Sequence, residues 1–277
     1  MLLPNFIVVG AAKSGTTSLW HYLMSHPEIF MSSIKETNFF SNDLMTRNNP
    51  IKNLEQYKLL FNDKGGYKLR GEVSNSYLTF AKVVAPRIKE KIPECLILII
   101  LRHPVDRLYS RYWHAVRDQY IKETFSEFSK SFKETELISD KIQIYIDTFG
   151  KSKVRVVFLE DFEKKSDIFF QSLFSFLDVE KISISSSRLN KSGSTKWKFF
   201  NDYILNGPAI VRLPAKILPT KYRANFREYI KMLNTVSKPK IDKNIEEDLS
   251  IFYKNDINKI KDITGRLPSS WIDRNLK

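Results

Sequence analysis

Short apolar runs alternate along this chain with segments in which apolar residues recur every three or four positions. The run at residues 6–9 and the longer run at residues 94–101 are typical of buried strands. After the first run, Leu19, Tyr22 and Leu23 fall on one face of a predicted helix. Four strand-like runs alternate with helical patterns in this way, which predicts an α/β fold with a mainly parallel sheet and right-handed crossovers.

The second half of the chain continues the alternation. Residues 154–162 predict a strand that runs into the start of a helix. The apolar residues between 168 and 177 recur at helical spacing, which assigns them to the core.

Composition limits the size and class of the fold. The chain has 277 residues, of which 42% are apolar, and it contains no internal repeat. We therefore expect a single domain over residues 1–277, or a domain with a small helical annex at about 200–240. The single Cys95 lies inside the second apolar run, which excludes a disulfide or zinc framework within the chain. No run reaches the length of a membrane span and no signal peptide precedes the first strand, so we expect a cytoplasmic protein without a transmembrane segment.

The loop between the first strand and the first helix, GAAKSGTT, has the form of a phosphate-binding loop. Gly10 and Gly15 have the spacing of the nucleotide-triphosphatase motif G-x-x-x-x-G-K-[ST], and Thr17 fills its hydroxyl position. Thr16, however, stands where that motif has its lysine, and Lys13 lies inside the loop instead. Such a loop can hold one phosphate group at a helix N-terminus and place a cation beside it, but it is poorly equipped to grip a triphosphate with magnesium.

This loop resembles the 5′-phosphosulfate loop of sulfotransferases that use 3′-phosphoadenosine 5′-phosphosulfate (PAPS). The resemblance implies donor contacts from Lys13, Ser14, Gly15, Thr16 and Thr17. A strand-end arginine, a Pro-started helix and a serine eight residues on form a second feature of that family. Here they are Arg102, Pro104 and Ser110, and the resemblance implies that Arg102 and Ser110 bind the 3′-phosphate.

The segment KETNFF, which starts at Lys35, resembles the K-E-x-x-F-F segment of the carbohydrate sulfotransferases that modify heparan sulfate. The glutamate is the general base in those enzymes, which implies that Glu36 takes the proton of the acceptor hydroxyl. Lys13 would then stabilise the charge that develops on the leaving phosphate. Some of these enzymes orient the glutamate with a histidine and an aspartate, and here the corresponding places hold Asn38 and Ser41.

Other candidates for the base remain open. Glu72 is a second carboxylate candidate, and cytosolic sulfotransferases use a histidine base. None of the four histidines lies near residues 71–77, roughly where that class has its catalytic histidine. On the acceptor side, we expect the substrate to be contacted by Lys35, Glu72, Ser74 and His114.

A basic loop at residues 188–197 resembles the loop that folds over the 3′-phosphate and adenine of the donor. It implies donor contacts from Lys191, Ser192, Gly193, Ser194 and Thr195. The resemblances together span nearly the whole chain and imply a P-loop-like three-layer α/β domain, with a central, mainly parallel sheet flanked by helices. They imply sulfuryl transfer without a metal ion from PAPS to a hydroxyl, in particular that of a glycan or glycoconjugate, with 3′-phosphoadenosine 5′-phosphate as the product.

Charge is concentrated in one part of the chain. The net charge is +14, and residues 188–240 hold 12 basic against 2 acidic residues, a net charge of +10. Such a field would steer an anionic donor or acceptor, although a solvated basic surface is the alternative interpretation. No nucleic-acid-binding module is visible, so nucleic acid is not an expected partner. Two further function classes stay open, a P-loop kinase or NTPase and a non-catalytic binder of anionic polymers.

Overall fold

A computed structural model of the chain describes residues 2–45, 51–62, 65–118, 120–164, 166–182, 194–195, 235–236 and 239–275. Its main sheet has five strands in the order β2-β3-β1-β4-β5, and every neighbouring pair is parallel. These strands are β1 (Phe6–Gly10), β2 (Ile29–Met31), β3 (Leu69–Val73), β4 (Leu96–Leu101) and β5 (Val154–Phe158).

Helices occupy most of the connections between the strands. In chain order the α-helices are α1 (Thr16–Met24), α2 (Leu54–Leu59), α3 (Ser76–Thr79), α4 (Ala81–Lys91), α5 (Pro104–Arg117), α6 (Phe125–Phe132), α7 (Ser139–Phe149), α8 (Leu159–Lys164), α9 (Ser166–Leu177), α10 (Lys243–Thr264) and α11 (Ser269–Asn275). Short 3-10 helices cover Phe39–Leu44, Lys133–Glu136 and Lys151–Lys153.

The central strand β1 separates two hydrophobic cores. Its residues Ile7 and Val9 belong to one core, which also receives side chains of α4, α7 and α10. Phe6 and Val8 belong to the other core, which α1 and α9 cover. Because successive side chains of a strand point to opposite faces, helices on both faces make a three-layer structure. The predicted fold class, a P-loop-like three-layer domain with a central parallel sheet, is confirmed.

Side chains close to the helix ends explain several boundaries. Thr124 and Glu127 form a reciprocal capping box at the start of α6. Asp242 begins α10, since its carboxylate accepts a hydrogen bond from the backbone N–H of Asn244 at 3.0 Å. The same helix ends at Gly265, which has a left-handed φ of 75°.

Part of the predicted organisation falls outside the described residues. The helical annex expected at about 200–240 lies almost entirely there, so the division into one domain, with or without an annex, stays a prediction. Two short strands, β6 (Ser194–Thr195) and β7 (Thr235–Val236), pair antiparallel. Within the described ranges, no helix has both the length and the apolar character that crossing a bilayer requires.

Candidate active site

The phosphate loop connects β1 to α1 at the carboxyl edge of the sheet. Gly15 stands directly before α1 with a φ of 86°, and a Cβ atom there would lie 2.6 Å from Cδ1 of Leu159. The left-handed φ therefore favours glycine, and the Leu159 side chain would have to shift to admit a Cβ atom. No side chain caps the N-terminus of α1, and its first turn contains no acidic residue. The first N–H groups of the helix are thus suited to an anion.

Ser14 gives an independent indication that the loop suits a phosphate group. Its side chain is fully buried, and its Oγ has no hydrogen-bond partner among the described residues. A buried hydroxyl without a partner is costly unless a ligand or a water satisfies it. The preceding Lys13 is partly exposed and holds a left-handed φ of 64°. The loop therefore offers a cation, a hydroxyl and backbone N–H groups within a few residues of one another.

The predicted 3′-phosphate residues begin on the neighbouring strand β4. The backbone N–H of Ala11 donates to the carbonyl of Ile100 at 2.8 Å, which ties the phosphate loop to the end of β4. Arg102 follows that strand directly and is partly exposed. Parallel strands end at the same edge of a sheet, so Arg102 and the loop share the edge at which open α/β sheets bind ligands.

Ser110 lies two turns into α5 and is 4% exposed. The short strand β6, which contains Ser194 and Thr195, lies beside α5. Residues 194–195, which belong to the basic loop predicted at 188–197, therefore lie close to the helix that carries Ser110. The other predicted donor contacts of this loop, Lys191, Ser192 and Gly193, lie outside the described residues.

Glu36 lies at the carboxyl end of β3, because its backbone N–H donates to the carbonyl of Val73 at 2.8 Å. It has a left-handed φ of 60°, and its side chain is 33% exposed. The backbone N–H of Asn75 donates to Oε2 at 2.8 Å, and the side-chain amide of Asn75 donates to Oε1. Nζ of Lys35 lies 2.6 Å from Oε1. Both carboxylate oxygens are thus held, and the side chain still reaches solvent.

Asn75 also links the carboxylate of Glu36 to the phosphate loop. A Cβ atom built on Gly10 would lie 3.6 Å from the backbone oxygen of Asn75. The adjoining Ser74 donates its backbone N–H to the carbonyl of Val8 on β1 at 3.0 Å. Glu36 and the start of the phosphate loop therefore lie at the same part of the carboxyl edge. A base has to lie close to the donor site in this way to act on the acceptor.

Glu72, which was predicted to lie on the acceptor side, sits in a buried cluster of hydroxyl groups. It is fully buried, and both oxygens accept hydrogen bonds from hydroxyl groups. Tyr57 and Tyr77 donate to Oε1 at 2.6 and 2.9 Å, and Ser74 donates to Oε2 at 2.9 Å, as does Thr37. Burial raises the pKa of the Glu72 carboxyl, although the four hydroxyl groups act to lower it.

Glu72 and Ser74 are both buried, and their contact with the acceptor stays a prediction. Neither side chain reaches solvent in this structure. Through Thr37, Glu72 joins β3 to residues 35–40, which we call the base segment because they contain Glu36. Through Tyr57 it also joins β3 to α2. Its four hydrogen bonds favour a structural role over that of the base, for which Glu36 remains the preferred candidate.

The other two acceptor-side predictions have separate locations. Lys35 pairs with the Glu36 carboxylate, as described above. His114 lies near the end of α5, where its Nδ1 is 3.1 Å from a carboxylate oxygen of Asp118 one turn further on. The role of His114 at the acceptor stays a prediction.

His103, next to Arg102, is almost fully buried. Its backbone N–H donates to Oε1 of Glu160 at 2.8 Å. Burial lowers the pKa of the imidazole to about 4, which leaves the ring neutral at pH 7. The side chain of His103 therefore adds no positive charge next to Arg102.

Sequence analysis missed Asn75 as a partner of Glu36. The corresponding family positions direct attention to Asn38 and Ser41, but neither side chain touches the Glu36 carboxylate. Asn38 donates to the backbone oxygen of Glu36, and Ser41 bonds to Ser76 at 2.7 Å. The one available signal was that the segment around Asn75 follows the strand that ends beside the phosphate loop.

The sequence and the fold both resemble proteins of known activity. The model of the sulfotransferase domain family matches residues 3–202. Membrane-associated sulfotransferase kil1 of Dictyostelium discoideum is 37% identical over 121 residues, which are 42% of this chain and 24% of that protein. Human bifunctional heparan sulfate N-deacetylase/N-sulfotransferase 3 is 33% identical over 113 residues, which are 40% of this chain and 13% of that protein.

A solved structure matches over nearly the full length. The crystal structure of a sulfotransferase from Alicyclobacillus acidocaldarius has a TM-score of 0.72 at 25% sequence identity. The match covers 98% of this chain and 99% of that one. In contrast, this chain spans less than a quarter of the length of either curated relative named above.

Proposed function

The chain belongs to the sulfotransferase domain family and is a sulfotransferase; from this premise we propose that it moves a sulfuryl group from PAPS to an acceptor hydroxyl. One observation carries the proposal. The phosphate loop and the Glu36 carboxylate lie at the same part of the carboxyl edge of the sheet, since Asn75 donates to that carboxylate and the preceding Ser74 bonds to β1. Direct transfer needs a donor site and a base in such proximity.

The residues of the phosphate loop are suited to the 5′ end of the donor. The first N–H groups of α1 and the partnerless hydroxyl of Ser14 would hold the 5′-phosphate. Lys13 would stabilise the negative charge of the phosphate oxygen as it leaves. Arg102 and Ser110 would hold the 3′-phosphate. When bound, PAPS supplies the sulfuryl group and a phosphate as the leaving group.

Glu36 is suited to remove the proton from the acceptor. In the balanced reaction, a bond forms between the acceptor oxygen and sulfur, and the bond between sulfur and the phosphate oxygen breaks. The acceptor proton passes to the Glu36 carboxylate. Lys35 and Asn75 keep that carboxylate in one orientation, and its partial exposure leaves a route for the acceptor.

A carbohydrate is the acceptor that we favour. The KETNFF segment supports it, since its glutamate stands as in enzymes that modify heparan sulfate. The human relative is named for heparan sulfate, and it is 33% identical over the matched 113 residues. A net charge of +14 also favours an anionic acceptor over a neutral one.

Ligand-induced thermal stabilisation tests the donor assignment. We expect 3′-phosphoadenosine 5′-phosphate to raise the Tm, and ATP with magnesium to raise it far less. Equal stabilisation by ATP and magnesium would favour a P-loop kinase or NTPase. Stabilisation by heparin alone would favour a non-catalytic binder of anionic polymers.

Labelled sulfate identifies the class of acceptor. The enzyme is incubated with PAPS carrying radioactive sulfur and either an unsulfated glycosaminoglycan backbone or a simple phenol. We expect the label in the polysaccharide. Label in the phenol and not in the polysaccharide would overturn the choice of a carbohydrate, while leaving the sulfotransferase activity intact.

A further inference from the structure

We infer that Asn75 is the positioning residue of the base, holding the Glu36 carboxylate in register with the phosphate loop. The inference rests on the proposed role of Glu36 and deepens it. Asn75 makes two contacts with one carboxylate. Its backbone N–H lies 2.8 Å from Oε2, and its side-chain amide donates to Oε1. Two donors from one residue fix both the distance and the rotation of a carboxylate.

The orientation of the Asn75 amide follows from its neighbour. An asparagine side chain can be placed with its nitrogen and oxygen exchanged, and the hydrogen-bond partners decide between the two placements. A carboxylate is an acceptor, so the group that faces Oε1 of Glu36 has to be the NH₂ group. The amide oxygen then points elsewhere, and among the described residues it has no hydrogen-bond partner.

Asn75 does not use its side chain to cap a helix. It stands at the N-cap of α3, a position at which asparagine commonly accepts a hydrogen bond from the helix backbone. No such bond is present, and the backbone of Asn75 is in the right-handed helical region at φ −68° and ψ −26°. The contact with Glu36 is therefore the one hydrogen bond that the amide makes within the described part of the chain.

The backbone of Asn75 is in turn fixed to the donor side of the site. Ser74, the residue before it, donates its backbone N–H to the carbonyl of Val8 on β1 at 3.0 Å, and the Asn75 carbonyl lies 3.6 Å from a Cβ atom built on Gly10. The backbone hydrogen bond of Ser74 therefore restrains Asn75 relative to the strand that leads into the phosphate loop. Lys35, the other partner of the carboxylate, has a long and flexible side chain that costs more entropy to fix. Asn75 is therefore the more rigid of the two supports.

The test compares Asn75→Ala and Asn75→Asp with wild type by the release of 3′-phosphoadenosine 5′-phosphate from PAPS, which water alone can support as acceptor. We expect Asn75→Ala to lower kcat about 10- to 100-fold, the range for losing a hydrogen bond to a charged group. Asn75→Asp should lower it further, since two carboxylates then face each other. The Kd of 3′-phosphoadenosine 5′-phosphate should change less than about twofold in both, because the donor site is intact.

Asn5→Ala is the matched control. Asn5 also bonds through both ends of its amide, to Lys68 and Arg70, but at the opposite edge of the sheet. It should lower thermal stability and leave kcat unchanged. Equal losses of kcat in Asn5→Ala and Asn75→Ala would mean that Asn75 acts only through stability, which would overturn the inference. A parallel loss of nucleotide affinity in Asn75→Ala would overturn it as well.

A double variant separates this inference from the proposed function. Asn75→Ala should have almost no further effect when Glu36→Gln is already present, since it acts through that carboxylate. If Glu36→Gln keeps normal turnover, the assignment of the base fails. If Glu36→Gln is inactive but Asn75→Ala retains kcat within about twofold, the base stands and the positioning role is wrong.

Discussion

The phosphate loop and the base segment are built in opposite ways. The loop is one stretch of chain, from Gly10 to Thr17, held between a strand and a helix that follow it directly. The base segment depends on distant residues, because Glu36 is bonded to Asn75, 39 positions further along. The phosphate loop is therefore encoded locally, whereas the support of the proposed base exists only once the sheet has formed.

The two constructions predict different sensitivities to mutation. Backbone N–H groups of the loop would bind the donor phosphate, and no single side-chain substitution removes them. The base segment relies on side-chain contacts, including the hydroxyl groups around Glu72. Substitutions in the base segment should therefore lower the rate of the chemical step with little change in nucleotide affinity. Substitutions in the proposed donor site should lower nucleotide affinity, the rate of the chemical step, or both.

The largest effect is expected from Glu36→Gln. Glutamine keeps the shape of the side chain but cannot accept a proton, so kcat should fall roughly 10²- to 10⁴-fold. Nucleotide affinity should stay near that of wild type. Sulfate transfer and isothermal titration with 3′-phosphoadenosine 5′-phosphate measure the two quantities separately.

Glu55→Gln is the control for that substitution. Glu55 is an exposed carboxylate that pairs with Lys58 at 2.9 Å. It should keep full activity, because exposed ion pairs contribute little. If Glu36→Gln stays active, the base lies elsewhere, and the base segment no longer differs from the phosphate loop in its effect on the chemical step.

Lys13→Ala should have the next largest effect, and it tests the loop itself. Loss of a preorganised cation from a developing oxyanion typically lowers the rate about 10²- to 10³-fold. The fold should remain intact, since Lys13 is partly exposed at the sheet edge. Circular dichroism and sulfate transfer check the two statements. Lys58→Ala serves as the comparison, and near-normal turnover in Lys13→Ala would show that the loop does not hold the leaving phosphate.

Arg102→Ala and Ser110→Ala should have smaller effects, on binding. Each should weaken the 3′-phosphorylated nucleotide more than the analogue without that phosphate, by about tenfold or more for the arginine. Arg117→Ala, at the other end of α5, and Ser129→Ala, a buried helix serine bonded to its own helix, are the matched controls. Equal losses for both nucleotides would place Arg102 and Ser110 outside the 3′-phosphate site.

The strands, the loop and the fold class were predictable because their signals are local. An apolar run followed by a glycine-bounded loop and a helical pattern identifies β1, the loop and α1 without knowledge of the remaining chain. The parallel sheet follows from the alternation of strands and helices. Family resemblance then assigns chemistry to Lys13 and Glu36.

The surroundings of the base were not predictable in the same way. Whether Glu72 reaches solvent depends on which face of β3 lies toward Tyr57 of α2 and Tyr77 of α3, and hydrophobic pattern alone does not settle that for a strand of five residues. Glu72 is fully buried among hydroxyl groups, and Glu36 is 33% exposed. The pairing of Asn75 with Glu36 likewise requires the register between the base segment and the end of β3.

The smallest effect expected on turnover concerns two buried carboxylates with different partners. Glu72 faces only hydroxyl groups, and burial raises its pKa above the ordinary 4.5. Burial also acts to raise the pKa of Glu136, but Arg107 and Arg111 lower it below that value. We therefore compare Glu72→Gln with Glu136→Gln, two substitutions at buried positions. Turnover in each should stay within about tenfold of wild type, since a structural hydrogen bond contributes about 1 kcal/mol net.

Stability should distinguish the two carboxylates by the sign of its dependence on pH. A raised pKa means that the folded state holds the proton more tightly, so the contribution of Glu72 is fully present below pH 4.5 and is lost as the pH rises through its higher folded pKa. Glu136 contributes above pH 4.5, and its contribution is lost as the pH falls through its lower folded pKa. Relative to wild type, Glu72→Gln should therefore gain stability as the pH rises from 4 to 7, and Glu136→Gln should lose it. Urea unfolding across about pH 4 to 7 measures both slopes. Slopes of the same sign would mean that the hydroxyl groups stabilise the ionised form of Glu72 as well as the arginines stabilise that of Glu136.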